Sequence, residues 1–240
     1  MKLKDKNIIV TGGYRGLGLA ITKAYLKEGA RVAICGRHQD SLKKLDDALQ
    51  EFDGRFFWCP CDISEPLEVA NFVRKVMHEF HSIDVLVNNA SIYGRKENVL
   101  DTSPQVFREI VDINLIGTFN VLQAVLKNMV EQAYGKIICV SSSSIEANEK
   151  AGVGYHVSKL GQEGLALMLA RQYESHNVCT NIINPYGIMQ DESSPFYDPV
   201  HQALGMDAES IQALFVYLAS PESNGVNGKI FNAIDWCKTR

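Results

Sequence analysis

Tyr155 and Lys159 stand four residues apart in Gly154-Tyr155-His156-Val157-Ser158-Lys159, a spacing that a helix turns into one face, one turn apart. A phenol then lies beside an ammonium. A free tyrosine has a pKa of about 10 and handles protons poorly at neutral pH, whereas a positive neighbour favours the phenolate. Across about 4 Å, at an effective dielectric of about 20, the attraction is roughly 4 kcal/mol, enough to bring Tyr155 to about 7. General acid–base catalysis is most effective there. The same spacing also arises wherever a lysine stem lies over a ring on a solvated helix face. What distinguishes this pair is its company: a glycine-rich turn near the N-terminus, a serine cluster at 141–144, and an asparagine-rich segment at 88–89.

The glycine turn is Thr11-Gly12-Gly13-Tyr14-Arg15-Gly16-Leu17-Gly18. It follows an apolar strand pattern and opens a helical one, the place for a phosphate-binding turn. Glycines there let backbone N–H groups approach a pyrophosphate; the alternative is a plain strand-to-helix turn. An NAD site usually carries an acid about 20 residues further on to hold the ribose 2′-hydroxyl. Here the sequence reads Cys35-Gly36-Arg37-His38, with no carboxylate. Arg37, with Arg15 from the glycine turn, suits a guanidinium clamp on a 2′-phosphate, which favours NADPH over NADH.

The elements that must hold these residues follow from periodicity. Short β-rich runs alternate with amphipathic helical stretches, the signature of βαβ units and a parallel sheet. Seven strands are expected, at 7–11, 31–35, 55–61, 83–88, 136–141, 178–184 and 229–233, with helices at about 17–28, 39–52, 65–80, 103–132, 155–175 and 207–219. The helix at 103–132 is long enough to predict a break or bend. The segment from Tyr186 to Met206 is the least regular and reads as a lid or an ordinary surface connection.

With 240 residues and no linker, repeat or low-complexity segment, the chain reads as a single NAD(P)-binding domain over 1–240. A net charge of −4 without a basic block gives no sign of a nucleic-acid partner. The apolar run after the N-terminus is only Ile8-Ile9-Val10, a strand and not a targeting segment, and no stretch looks long and apolar enough for a membrane span. A cytoplasmic protein is expected. Six cysteines in a chain of this length read as small core residues in a reducing compartment. Cys59-Pro60-Cys61 has no second Cys/His pair at zinc spacing, so no metal is expected.

The ordered set Gly12-x-x-x-Gly16-x-Gly18, Asp62, Asn88-Asn89-Ala90, Asn114, Ser142, Tyr155-x-x-x-Lys159 and Asn184-Pro185 resembles the short-chain dehydrogenase/reductase family, and within it reductases of the 3-oxoacyl carrier-protein type. The resemblance spans nearly the whole chain. It implies a Rossmann fold: a doubly wound, seven-stranded parallel sheet in three α/β/α layers, strand order 3-2-1-4-5-6-7. It implies a nicotinamide cofactor at the strand carboxyl ends, held by Gly12, Tyr14, Arg15, Gly16, Leu17, Gly18 and Arg37. Asp62 and Ile63 would touch the adenine, Asn89 and Ala90 the ribose side, and Pro185 and Ile188 the nicotinamide. Lys159 would bond the nicotinamide ribose. Tyr155 would exchange a proton with the substrate oxygen while Ser142, thirteen residues before it, holds that oxygen as charge develops. Asn114 would position a water linking Lys159 to solvent.

The family pattern is departed from at Ser91 and Tyr186, where glycine is usual, and at Gln190, where threonine usually grips the carboxamide. The stretch from 185 to 207 is shorter than usual, and Asn232-Ala233-Ile234-Asp235-Trp236 replaces the usual acidic-Gly-Gly ending. The first reading is an NADPH-dependent, metal-free carbonyl reductase or alcohol dehydrogenase acting on a small-molecule carbonyl or alcohol. By the resemblance it forms a homodimer or homotetramer through the helices at 103–132 and 155–175. Tyr93, Ile145, Glu146, Asn148, Tyr186, Phe196 and Tyr197 are the candidates to face the substrate. Two alternatives stay open: an epimerase or dehydratase that retains its nicotinamide, and a non-catalytic NADPH-binding regulatory or assembly subunit.

Overall fold

The computed structural model describes residues 1–94, 97–142, 152–185 and 208–239. Seven strands form one parallel sheet: β1 (Asn7–Thr11), β2 (Arg31–Gly36), β3 (Phe56–Pro60), β4 (Val85–Asn88), β5 (Gly135–Val140), β6 (Val178–Asn184) and β7 (Ile230–Asn232). Their order is β3-β2-β1-β4-β5-β6-β7, that of the doubly wound α/β fold. The apolar runs Ile8-Ile9-Val10, Val85-Leu86-Val87 and Ile137-Ile138-Cys139 are strands because both sheet faces are covered, so successive side chains all find apolar cover. Ile8, Val10, Val32, Ile34, Val85, Val87 and Ile138 face one core, with α1 (Gly16–Lys27), α2 (Gln39–Ala48) and a C-terminal helix, Gln212–Ala219. Ile9, Ala33, Leu86, Ile137 and Cys139 face the other, under α3 (Pro66–Phe80) and two long helices described next.

The expected bend in the 103–132 helix is a π-helical turn. Ser103 caps α4 (Pro104–Val111) by accepting from the Val106 N–H at 3.2 Å, Pro104 occupies its first turn, and α5 (Gly117–Glu131) follows after Asp112–Ile116. Such turns insert an extra residue and re-aim side chains, often at functional sites; this one carries Asn114. By length and composition the 28-residue span Pro104–Glu131 would be long enough to cross a membrane, which the sequence reading had not allowed. In the fold, half of its most apolar window is buried, against α3 and the sheet.

The next helix, α6 (Val153–Gln172), carries Tyr155 and Lys159 and starts two residues earlier than expected. The helix Gln212–Ala219 is α7. A final helix, α8 (Ala233–Lys238), was not foreseen: Ala233 had been placed in the last strand. Asn232 decides the change, its side-chain oxygen accepting from the N–H groups of Ile234 (3.1 Å) and Asp235 (3.2 Å) and so ending β7 with an N-cap. All six cysteines are free, with Cys35, Cys61 and Cys139 buried.

Candidate active site

The parallel register brings the carboxyl ends of β1, β2, β3, β4, β5 and β6 to one edge of the sheet, with the glycine turn at its centre. A Cβ on Gly18 would overlap the carbonyl oxygen of Gly12, so only glycine lets α1 begin this close to β1. Arg15, at the N-cap, makes no side-chain capping bond, which leaves the leading N–H groups of the helix, those of Gly16, Leu17 and Gly18, suited to an anion. Thr11 ties this turn to β4: its hydroxyl donates to the Val87 carbonyl (3.3 Å) and accepts from the N–H groups of Asn89 and Ala90 (both 3.0 Å). The Asn89 amide nitrogen donates in turn to the carbonyls of Thr11 (3.0 Å) and Gly12 (3.3 Å). Asn89 therefore shapes the phosphate turn through its side chain, while Ala90 lies beside Gly12.

At the adenosine end the ring of Tyr14 lies against Gly36, where any side chain would collide with it. The Arg15 guanidinium sits 5.6 Å from the centre of that ring. Arg15 and Arg37 are thus brought to the same corner. The β2 end lacks a carboxylate along the strand but not in space. Pairing of Gly36 with Pro60 carries Asp62 alongside, and its carboxylate lies 3.9 Å from Arg37 Nη1. The other Asp62 oxygen accepts from the Ser64 N–H (2.9 Å) and hydroxyl (2.7 Å). The Ile63 side chain is buried in the second core, against Gly117. These residues fit a dinucleotide: a close-packed backbone turn at a helix start, with two guanidinium groups beyond it. Pro185 follows β6 at the same edge. Ile188, Gln190, Tyr186, the 186–206 segment, Ile145, Glu146, Asn148, Phe196 and Tyr197 lie outside the described residues.

Tyr155 and Lys159 are buried together, 8% and 2% exposed. The phenol of Tyr155 is hydrogen-bonded with Ser142. Tyr93 packs on the Tyr155 ring, with centroids 4.4 Å apart and planes tilted by 38°. The expected depression of the phenol is corrected here. Burial, the largest influence, pushes Tyr155 up to about 12, with Ser142 pulling down and Tyr93 pushing up. Lys159 Nζ lies 5.5 Å from the ring centre and donates to the Val140 carbonyl at 2.8 Å. Desolvation, which penalises the charged form of either group, outweighs attraction at that geometry. It also lowers Lys159 to about 8, against the upward pull of Cys139 and Glu163.

Asn114 is fully buried. Its side-chain oxygen accepts from the Ile92 N–H (2.8 Å), and its nitrogen donates to the Ile92 carbonyl (2.8 Å) and the Ser158 hydroxyl (3.1 Å). It clamps the segment after β4, which carries Tyr93, to α6.

The family model for short chain dehydrogenases matches residues 6–196. The chain belongs to the short-chain dehydrogenase family. It is 31% identical over 97% of its length to a 3alpha-hydroxysteroid dehydrogenase of Mediterraneibacter gnavus, covering 96% of that protein. It is 29% identical to a 3-oxoacyl-(acyl-carrier-protein) reductase of Chlamydia muridarum, over 96% of both chains. The crystal structure of levodione reductase superposes with a TM-score of 0.88 at 26% identity, over 96% of each chain. As a short-chain dehydrogenase, the protein is an NAD(P)-dependent oxidoreductase acting on hydroxyl or carbonyl substrates.

Within this short-chain dehydrogenase the structure separates serines that the sequence left adjacent: Ser142 meets Tyr155, whereas Ser141 donates to the Glu163 carboxylate at 2.6 Å. Three contributors escaped the sequence reading. Thr11 anchors the glycine turn, Gln162 donates to the Asn114 carbonyl and to the Thr118 hydroxyl, and Glu163 lies one turn beyond Lys159. For Glu163 a signal existed in the four-residue spacing that picked out Lys159. For Thr11 and Gln162 the partners are distant in sequence.

Proposed function

We propose that this short-chain dehydrogenase is an NADPH-dependent reductase of a ketone to a secondary alcohol, with Tyr155 as the proton donor. The observation that carries the reading is the buried Tyr155 phenol. It is hydrogen-bonded with Ser142 and held at about 12, so it keeps its proton at neutral pH and is suited to give it to a carbonyl oxygen. Ser142 adds a second hydroxyl to the same oxygen as negative charge develops. Lys159, still protonated at pH 7, places a positive charge beside the ring from which the proton leaves. Asn114 fixes the Tyr93 segment and α6 relative to each other and so holds the Tyr93–Tyr155 contact.

The glycine turn and the start of α1 would hold the pyrophosphate, and Arg15 and Arg37 the 2′-phosphate; the nicotinamide supplies the hydride. The Arg37–Asp62 contact at 3.9 Å is long and partly exposed, so a phosphate dianion competes well for the guanidinium. Pro185 and Ile188 would flank the nicotinamide. The relatives' names, a hydroxysteroid dehydrogenase and a 3-oxoacyl reductase, support a ketone or secondary alcohol as substrate. Ile116, the last residue of the π-helical turn, and Phe119, at the start of α5, together with Val157, Leu160 and Met168 along α6, are exposed; such surface favours a homodimer or homotetramer built on these helices. Six free cysteines suit a reducing, cytoplasmic setting.

The test is a fluorescence titration of the purified protein with NADPH and NADH, then a panel of acyl, cyclic and sugar ketones followed at the nicotinamide absorbance. Tighter NADPH binding with ketone-dependent oxidation supports the reading, and Tyr155→Phe should then abolish turnover while leaving NADPH affinity nearly unchanged. Tight binding without turnover on any ketone would move the assignment to a retained-cofactor enzyme or a regulatory subunit.

A further inference from the structure

The stripe that makes Tyr155 and Lys159 neighbours continues for another turn. Positions 155, 159 and 163 share one face of α6, and the third is Glu163. Its carboxylate is held in place, since Ser141, the first residue after β5, donates its hydroxyl to Glu163 Oε1 at 2.6 Å. The Ser141 backbone is itself fixed to β6 by the bond from its N–H to the Ile183 carbonyl at 2.8 Å. Lys159 stands between Glu163 and Tyr155 along that face and is almost fully buried, bonded to a neutral carbonyl at Val140. A buried ammonium with only a carbonyl partner is costly to keep charged.

We infer that Glu163, anchored by Ser141, is a positioning residue that keeps Lys159 protonated beside Tyr155. The inference rests on the reading of Lys159 as the charged partner of Tyr155. Among the described residues, the titratable groups facing Lys159 are Tyr155 and Glu163 on its own helix and Cys139 on β5. Burial pushes the Cys139 thiol up to about 12, so it is neutral where Lys159 titrates. Tyr155 is neutral there too. Glu163 is then the one carboxylate among the described groups facing Lys159. Serine 141 and Glu163 thus acquire a task in the reaction without touching substrate.

The experiment is a pH titration of the Lys159 Nζ resonance in the full-length protein labelled with ¹⁵N-lysine, the signal assigned by its loss in Lys159→Arg. In the parent protein the midpoint is expected near 8. Glu163→Gln should lower it by up to about one pH unit, because removing a nearby opposite charge disfavours the ammonium, so that the protonated fraction above the midpoint falls by up to about tenfold. Ser141→Ala should lower it by less, and Glu163→Asp should recover part of the loss. If Glu163→Gln does not fold, Ser141→Ala decides alone. An unmoved midpoint overturns the inference, because a merely structural Glu163 would leave the titration of Lys159 in place. Turnover separates this outcome from the proposed function. A lowered midpoint in a protein that reduces no ketone supports the coupling and removes the reductase reading, whereas ketone reduction with an unmoved midpoint does the reverse.

Discussion

Ketone reduction by this protein should lose about a factor of ten in kcat/KM between pH 7 and pH 9, with Lys159 and not Tyr155 setting the fall. Burial holds the phenol at about 12 and the ammonium at about 8. At pH 7 Lys159 then keeps its proton in about 90% of molecules and at pH 9 in about 10%, while Tyr155 stays protonated throughout. Giving up the phenol proton leaves a buried phenolate, which the neighbouring ammonium stabilises and a neutral amine does not, so the rate follows the ammonium fraction. The assay is initial-rate reduction of a substrate ketone with excess NADPH at half-unit steps from pH 7 to 10, corrected for any loss of cofactor binding. Lys159→Arg, whose guanidinium remains charged across this range, should remove the limb from whatever rate remains. Tyr155→Phe should all but abolish turnover, lowering the whole profile by about 10²–10⁴-fold, the usual contribution of a positioned general acid. A flat profile from pH 7 to 10, or a limb that persists in Lys159→Arg, would refute the reasoning, since either outcome removes the lysine charge from the rate.

Arg37→Asp should weaken NADPH binding far more than NADH binding, by about the 1.5–3 kcal/mol of a lost charge-assisted contact plus repulsion from the new carboxylate beside Asp62; equal loss for both cofactors in the titration would sink the 2′-phosphate clamp. Lys136, buried at the start of β5 and donating to the Ser220 carbonyl (2.6 Å) and the Ser223 hydroxyl (2.7 Å), is lowered by burial to about 8 from the ordinary 10.5. Its folded-state value lies below the unfolded one, so the unfolded chain binds more protons between pH 8 and 10.5 and this group's contribution to stability rises with pH there, by up to about 3 kcal/mol. Urea unfolding of the parent and Lys136→Met at matched protein concentration isolates the effect, because buried thiols such as Cys139 act oppositely in both; parallel pH dependences would count against it. Leu160→Arg, on the exposed stripe of α6, should reduce the solution mass to that of a monomer in sedimentation, and an unchanged oligomer would place the interface elsewhere.

The sequence by itself determined seven strands of a parallel sheet and singled out Tyr155, Lys159 and the glycine turn as candidates, while the doubly wound order and the choice of Ser142 rested on the family resemblance. The physical reason is that periodicity, spacing along a helix and the closeness of strand to glycine are local quantities, readable within a few residues. It even indicated the irregularity within 103–132, though not that a π turn would place Asn114 there. Only the tertiary structure decided the rest. Strand pairing set Asp62 beside Arg37 and joined Thr11 to Asn89, contacts whose partners are remote in the chain. Asn232 turned an expected strand residue into the start of α8 through a side-chain cap that periodicity does not register. The protonation chemistry was the largest revision. A charge pair on a helix surface would have drawn Tyr155 down, but both groups are folded into the interior and Lys159 is turned to the Val140 carbonyl. Desolvation, a property of everything packed around a residue and not of its neighbours in sequence, therefore leaves Tyr155 a protonated donor and makes Lys159 the group that titrates.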